Sequence, residues 1–158
     1  MVKRKVAITE NDERFVWKAK LISTSTKKTI EVHDLLQLIG DESRKMEEIS
    51  SPKFKLGGVD FSISVYPDDS DHDGSGFIGV YLNNHSDEDQ TTSITVKLVS
   101  GVEKSLEMRV VKAGKGRGWN KFLSHQKYQK WAKDHGDVLK LEVMVTLHSK
   151  AEGGGWTR

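Results

Sequence analysis

Ser51-Pro-Lys-Phe-Lys-Leu-Gly-Gly-Val-Asp-Phe-Ser-Ile-Ser-Val-Tyr-Pro67 decides how the rest of the chain is read. Val59, Phe61, Ile63 and Val65 alternate with Asp60, Ser62 and Ser64, so one face is apolar and the other polar. Successive side chains of a strand point to opposite faces, which makes this a strand with one buried side. The same period recurs downstream in Phe77–Leu82, Ser93–Val99 and Leu106–Val111, and Val138–Leu147 supplies the longest, closing strand. Upstream, Phe15–Ile22 is rich in β-formers and reads as the opening strand, with Val6-Ala-Ile8 as a candidate edge strand before it. Several short strands separated by turn signals indicate an all-β sandwich or barrel.

Two segments break the period. The Leu-rich cluster at His33–Ile39 and the charged run Asp41–Ile49 read as short helices inserted at about 33–48. In Phe122–Asp134, Leu123, Lys127, Tyr128 and Trp131 fall at helical spacing and Lys127, Lys130 and Lys133 point outward. The second helix is therefore expected over 122–134, stopped by Gly136. The expected organisation is an N-terminal extension at 1–13, one domain at 14–148, and a tail at 149–158 whose Gly153-Gly-Gly155 is expected to be mobile.

Composition narrows the function classes. A chain of 158 residues fits one domain and hides roughly 70% of its unfolded surface. It has no cysteine, which removes disulfides, thiolate nucleophiles and Cys-based zinc sites and fits a reducing compartment. Met1-Val-Lys-Arg-Lys5 is followed by polar residues, and no apolar run approaches the roughly 20 residues of a membrane helix. A soluble cytoplasmic or nuclear protein, with no membrane partner, is the expectation. Net charge is only +2, yet Asp68–Gln90 holds seven carboxylates and no Lys or Arg, whereas Gly101–Lys133 holds nine Lys or Arg.

Candidate chemistry is sparse. Asp69-Ser-Asp-His-Asp-Gly74 begins like a calcium loop, with Asp69, Asp71 and Asp73 as the candidate cation ligands. Val80 stands where the bidentate Glu is needed, so a solvated acidic loop is the stronger reading. Lys112-Ala-Gly-Lys-Gly-Arg-Gly118 has the glycines and charge to hold a phosphate but lacks the Lys-Ser/Thr of a nucleotide loop. The six histidines form no ligand pair, and no G-x-S-x-G frame supports a nucleophile. No cofactor and no catalytic activity are expected. Lys112, Lys115, Arg117, Lys121, Lys127, Lys130 and Lys133, interleaved with Trp119, Tyr128 and Trp131, resemble a single-strand nucleic-acid footprint. The nearly balanced total charge weighs against it.

Five stretches in order resemble the MATH (TRAF-like) domain family. They are Phe15-Val-Trp17, Ser51–Pro67 with its Gly57-Gly58 turn, Phe77–Leu82, Gly118-Trp-Asn-Lys-Phe122 and Asp137–Val145. The resemblance covers about residues 14–148. It implies an antiparallel TRAF-like β-sandwich of about eight strands that holds a short extended peptide in a groove on one sheet. Family members include ubiquitin-ligase adaptors and TRAF signalling proteins, so a substrate-recognition or adaptor role is implied. Carried over by position, the groove is formed by Tyr81, Ile94, Val96, Arg117 and Trp119, with Asn120 and Lys121 at its edge. Arg117 and Ile94 depart from the adaptor pattern of Trp and Phe, which points to a retuned ligand, acidic or phosphorylated. Ser23–Ser50 reads as an insert longer than the family's. The partners expected are short linear peptide motifs. The rival is a scaffold that self-associates as a homo-oligomer through its sheet edges.

Overall fold

A computed structural model of the chain describes residues 3–6, 21–99 and 101–150, with side chains over 23–99 and 101–149. Phe15-Val-Trp17 and the tail from 151 lie outside the described residues. Among the described residues the strands are β1 (Lys3–Val6), β2 (Leu21–His33), β3 (Ile49–Ser50), β4 (Phe54–Leu56), β5 (Val59–Tyr66), β6 (Phe77–Asn84), β7 (Gln90–Leu98), β8 (Glu103–Val111), β9 (Gly116–Ser124) and β10 (Val138–Lys150). They form two antiparallel sheets, ordered β1-β2-β10-β7-β8 and β3-β5-β6-β9, with β4 also on β5. β3 and β4 share the same partner either side of Ser51-Pro-Lys53, so they are one edge interrupted where proline has no N–H to give.

The alternation seen in the sequence sets the core. Phe61, Ile63 and Val65 of β5 and Ile78, Val80 and Leu82 of β6 face Ile94, Val96 and Leu98 of β7 and Leu139, Leu141, Val143, Val145 and Leu147 of β10. All are buried, while Met144, one residue out of phase on β10, is 47% exposed.

One expectation is corrected and the bounds of two short helices are refined. Ser23–His33 is not part of an insert. It belongs to a 13-residue strand paired with β10 from Val138↔His33 to Lys150↔Leu21. Its inward positions carry Thr24, Thr26 and Lys28 before Ile30 and Val32, so polar residues lie on both faces and hide the period. The threonines are β-branched and buried, and the Lys28 ammonium lies 5.3 Å from the centre of the Phe54 ring. Second, the 33–48 helix is a single turn, α1 (Leu35–Ile39), followed by turns. Asp41 breaks it: its carboxylate accepts from the Ser43 N–H and hydroxyl, and these bonds lower its pKa. Third, Phe122 and Leu123 belong to β9, and α2 runs His125–His135. Ser124 caps it, accepting from the Lys127 N–H at 3.1 Å.

Asp137 ties the helices to β10. Its carboxylate accepts from the Leu36 N–H and from the Tyr128 hydroxyl at 2.8 Å. Burial and that carboxylate together push the Tyr128 phenol up. Between the edge strands of the two sheets, Arg117 of β9 donates to the Val110 carbonyl of β8 at 2.9 Å. Lys104 of β8 donates to the Lys121 carbonyl of β9 at 2.9 Å.

Candidate functional site

The outer face of the β3-β5-β6-β9 sheet is built from small and polar residues. Cross-strand register sets Ser64 beside Tyr81 beside Gly118, and Ser62 beside Asn83 beside Gly116. On β9 this face therefore carries no side chain at two successive outward positions. A Cβ on Gly118 would collide with the backbone of β6, so glycine is required for the close approach.

Its hydroxyls are buried although they point away from the core. Ser62 is 2% exposed and Ser64 1%. Asn83 donates to Ser64 at 2.6 Å and to Ser62 at 3.2 Å, Ser62 meets the His85 ring at 2.7 Å, and Ser64 donates to the Glu48 carboxylate. Every buried side-chain polar atom among the described residues has a partner. A cavity of about 400 Å3 opens above these residues, walled by Glu48, Lys53, His85 and Lys115.

At the other end stands an aromatic trio. Tyr66 and Tyr81 meet edge to face at 5.7 Å, and the His72 ring lies 5.3 and 5.4 Å from them. Asp69, 0% exposed, holds the trio from beneath. It accepts from the Tyr81 hydroxyl at 2.6 Å and contacts His72 Nδ1. Gly79 makes room, since a Cβ there would collide with that carboxylate. Burial, then the bond to Asp69, holds the Tyr81 phenol protonated well above its usual range. Burial followed by the charges of Glu48, Asp69 and Asp71 raises Tyr66.

The structure divides the residues expected to line one groove. Tyr81 lies on this outer face, and Asn120 beside it, donating to the His72 carbonyl. Ile94, 3% exposed, and Val96, 0%, sit on the inner face of the opposite sheet and line no surface. Trp119 lies beside Val80, packs on the core and meets Phe122 at 6.0 Å. Arg117 is spent on Val110, and the Lys121 ammonium lies 5.5 Å from the centre of the Phe77 ring. Tyr66, Ser62, Ser64, Asn83 and His85 were not singled out. Their signal was present: the outward positions of β5 carry small hydroxyls, where a merely solvated face more often carries charge.

Two other readings lose their geometry. Asp69 is committed to Tyr81 and His72, and among the described residues no three His, Cys, Asp or Glu groups converge on a cation position. Within the basic stretch Tyr128 and Trp131 are buried and Trp119 packs inward, so no stacked platform faces solvent. Among the described residues no helix is long and apolar enough to cross a membrane.

The family model described as the MATH domain matches residues 41–147, spanning β3 to most of β10. A Dictyostelium discoideum protein named a TNF receptor-associated factor family protein is 27% identical over 154 residues. The alignment covers 89% of this chain and 30% of that protein, so the chain spans under a third of its relative.

Proposed function

The chain belongs to the MATH domain family, a family of protein–protein interaction modules, and on that premise we propose that it holds a short extended peptide across the outer face of the β3-β5-β6-β9 sheet. The observation that supports this most is the bare strip at Gly116 and Gly118 of edge strand β9, beside Tyr81 and Asn83. A strand laid along an exposed sheet edge gains main-chain hydrogen bonds, and neighbouring pockets select alternate side chains. The floor is already hydrogen-bonded, so little ordering cost falls on binding. Tyr66 and Tyr81 supply the rigid aromatic contact that dominates such interfaces. In a longer protein this module would serve as a substrate-recognition or adaptor element, linked to ubiquitin or TRAF-type signalling.

The test is selection of nine-residue peptides from a random displayed library on the wild-type domain. Their affinities are then measured for Asn83→Arg, which fills the trough, and Thr95→Arg, on the outer face of the opposite sheet. Folding of both variants is checked by circular dichroism. Peptides lost by Asn83→Arg and kept by Thr95→Arg support the groove. Peptides kept by Asn83→Arg, or none selected, overturn it.

A further inference from the structure

Resting on the peptide-groove reading, we propose that the cavity at its Lys53–Lys115 end takes an anionic side chain of the bound peptide, a carboxylate or a phosphoryl group. The two lysines line the same cavity, and each comes from backbone fixed in place. Lys53 lies two residues after Ser51, whose N–H donates to the Ile63 carbonyl at 2.8 Å and whose hydroxyl accepts from the Ile63 N–H at 2.9 Å. Lys115 has its N–H on the Lys112 carbonyl at 3.0 Å, and its own carbonyl accepts from the Asn84 N–H at 2.9 Å. Gly114 (φ +69°) and Gly116 flank it, so no neighbouring side chain screens the ammonium.

Lys45 and Lys55 are ion-paired, whereas among the described residues neither Lys53 nor Lys115 lies within ion-pair distance of a carboxylate. Glu48 is the one carboxylate in the cavity wall, and hydroxyls of Ser50 and Ser64 donate to it. Two ammoniums against one carboxylate leave the wall net positive before His85 is counted, and His85 turns its Nε2 to Ser62. The opposite end of the groove carries Asp69 and Asp71, which, after burial and the Glu48 charge, help raise the Tyr66 phenol, so an anion is less favoured there. A concave site with low-dielectric walls focuses such a field, and Lys is a well-suited point-charge partner for phosphate.

Register places the charge. The Ser62-Asn83-Gly116 row under the cavity lies two residues along from the Ser64-Tyr81-Gly118 row. In an added strand, side chains two apart share a face. The anionic residue is therefore two positions from the one that faces Tyr81, and moving it by one turns it away.

Fluorescence polarisation of one display-selected peptide, remade with Gln, Glu or phosphoserine at that position or at its neighbour, reads this out. The anionic forms are expected to bind the wild type about tenfold or more tightly than the Gln form, an advantage that salt erodes. The neighbour-shifted forms lose the gain. A Lys53→Gln/Lys115→Gln double variant loses it too. A gain for phosphoserine alone assigns the cavity to a phosphoryl group; a gain for both makes a carboxylate sufficient. Equal affinity of all forms for the wild type, or a gain that survives in the double variant, overturns the proposal. The groove reading then still stands if Asn83→Arg abolishes binding of the Gln form. Absence of any peptide binding sinks both.

Discussion

The outer faces of the two sheets carry similar residues and end in opposite states. On the β2-β10-β7-β8 face, hydroxyls pair across strands, Ser25 with Thr146 at 2.8 Å and Thr95 with Ser105 at 2.9 Å. Lys27 meets Glu142 at 3.7 Å. These residues stay at least partly exposed, and Met108, Val110 and Met144 stand among them. The edge strand is bulged at Met108, which adopts φ 52° with its N–H on Ser93. A bulge of this kind hinders edge-to-edge pairing, which weighs against self-association there. On the β3-β5-β6-β9 face, Glu48, Asn83 and His85 bond the two buried serines, and every buried side-chain polar atom among the described residues is paired internally. Identical chemistry is solvated on one face and structural on the other, because loops and long polar side chains fold over only one of them.

Substitutions can break this contrast, beginning with the strongest. Asp69→Ala removes a buried carboxylate that receives Tyr81 and contacts His72. Bonds to charged groups are the costly ones to lose, and stability should fall by about 3 kcal/mol in urea unfolding. Among the described residues, no carboxylate of the other sheet is buried in the same way. Tyr81→Phe should cost about 1.5 kcal/mol, the usual loss for one hydrogen bond to a charged partner.

The same substitution has a pH signature. Tyr66, Tyr81 and Tyr128 all have phenols raised in the folded state. Raised phenols keep their protons when the unfolded chain has lost its own. Their contribution is therefore fully present below the ordinary tyrosine value of about 10 and is lost as pH rises above it. Urea midpoints taken from about pH 8 to 11 should be flat and then fall. Tyr81→Phe and Tyr128→Phe should each make that fall shallower, and an unchanged slope would show that these phenols titrate normally.

Ser64→Ala and Thr95→Ala compare the two faces directly. The first removes the nearer acceptor of the Asn83 amide and a donor to Glu48, and should cost about 1 kcal/mol; the second, on a solvated face, should stay within about 0.5 kcal/mol by thermal unfolding. Equal costs would erase the distinction. The smallest effect is expected at the bulge. Met108→Gly relieves a left-handed backbone that a side chain disfavours, and should raise stability by about 0.5 kcal/mol.

Much of the fold was legible because its strands are half-buried. In β5, β6, β7 and β10 apolar residues occupy every second position, so the inner face could be named before any partner was known. α2 was legible from its lysine stripe, though its start was not: Phe122 and Leu123 suit either element, and the Ser124 cap decides. β2 was invisible because its inward positions carry Thr24, Thr26 and the half-buried Lys28, polar residues whose cover comes from partners remote in sequence. The face each candidate residue occupies was legible only in part: Tyr81 and Asn120 lie on the outer face of one sheet, but Ile94 and Val96 are buried on the inner face of the other and Trp119 packs on the core.

By itself, the sequence determined which residues share a face, since a period of two is local covalent geometry. It also determined the family, through motifs that keep their order along the chain. Only the tertiary structure decided which faces are covered. Burial of Ser62, Ser64 and Asp69, the packing of Trp119 on the core and the meeting of Lys53 and Lys115 in the wall of one cavity depend on residues remote in sequence. No local pattern encodes the distance between them.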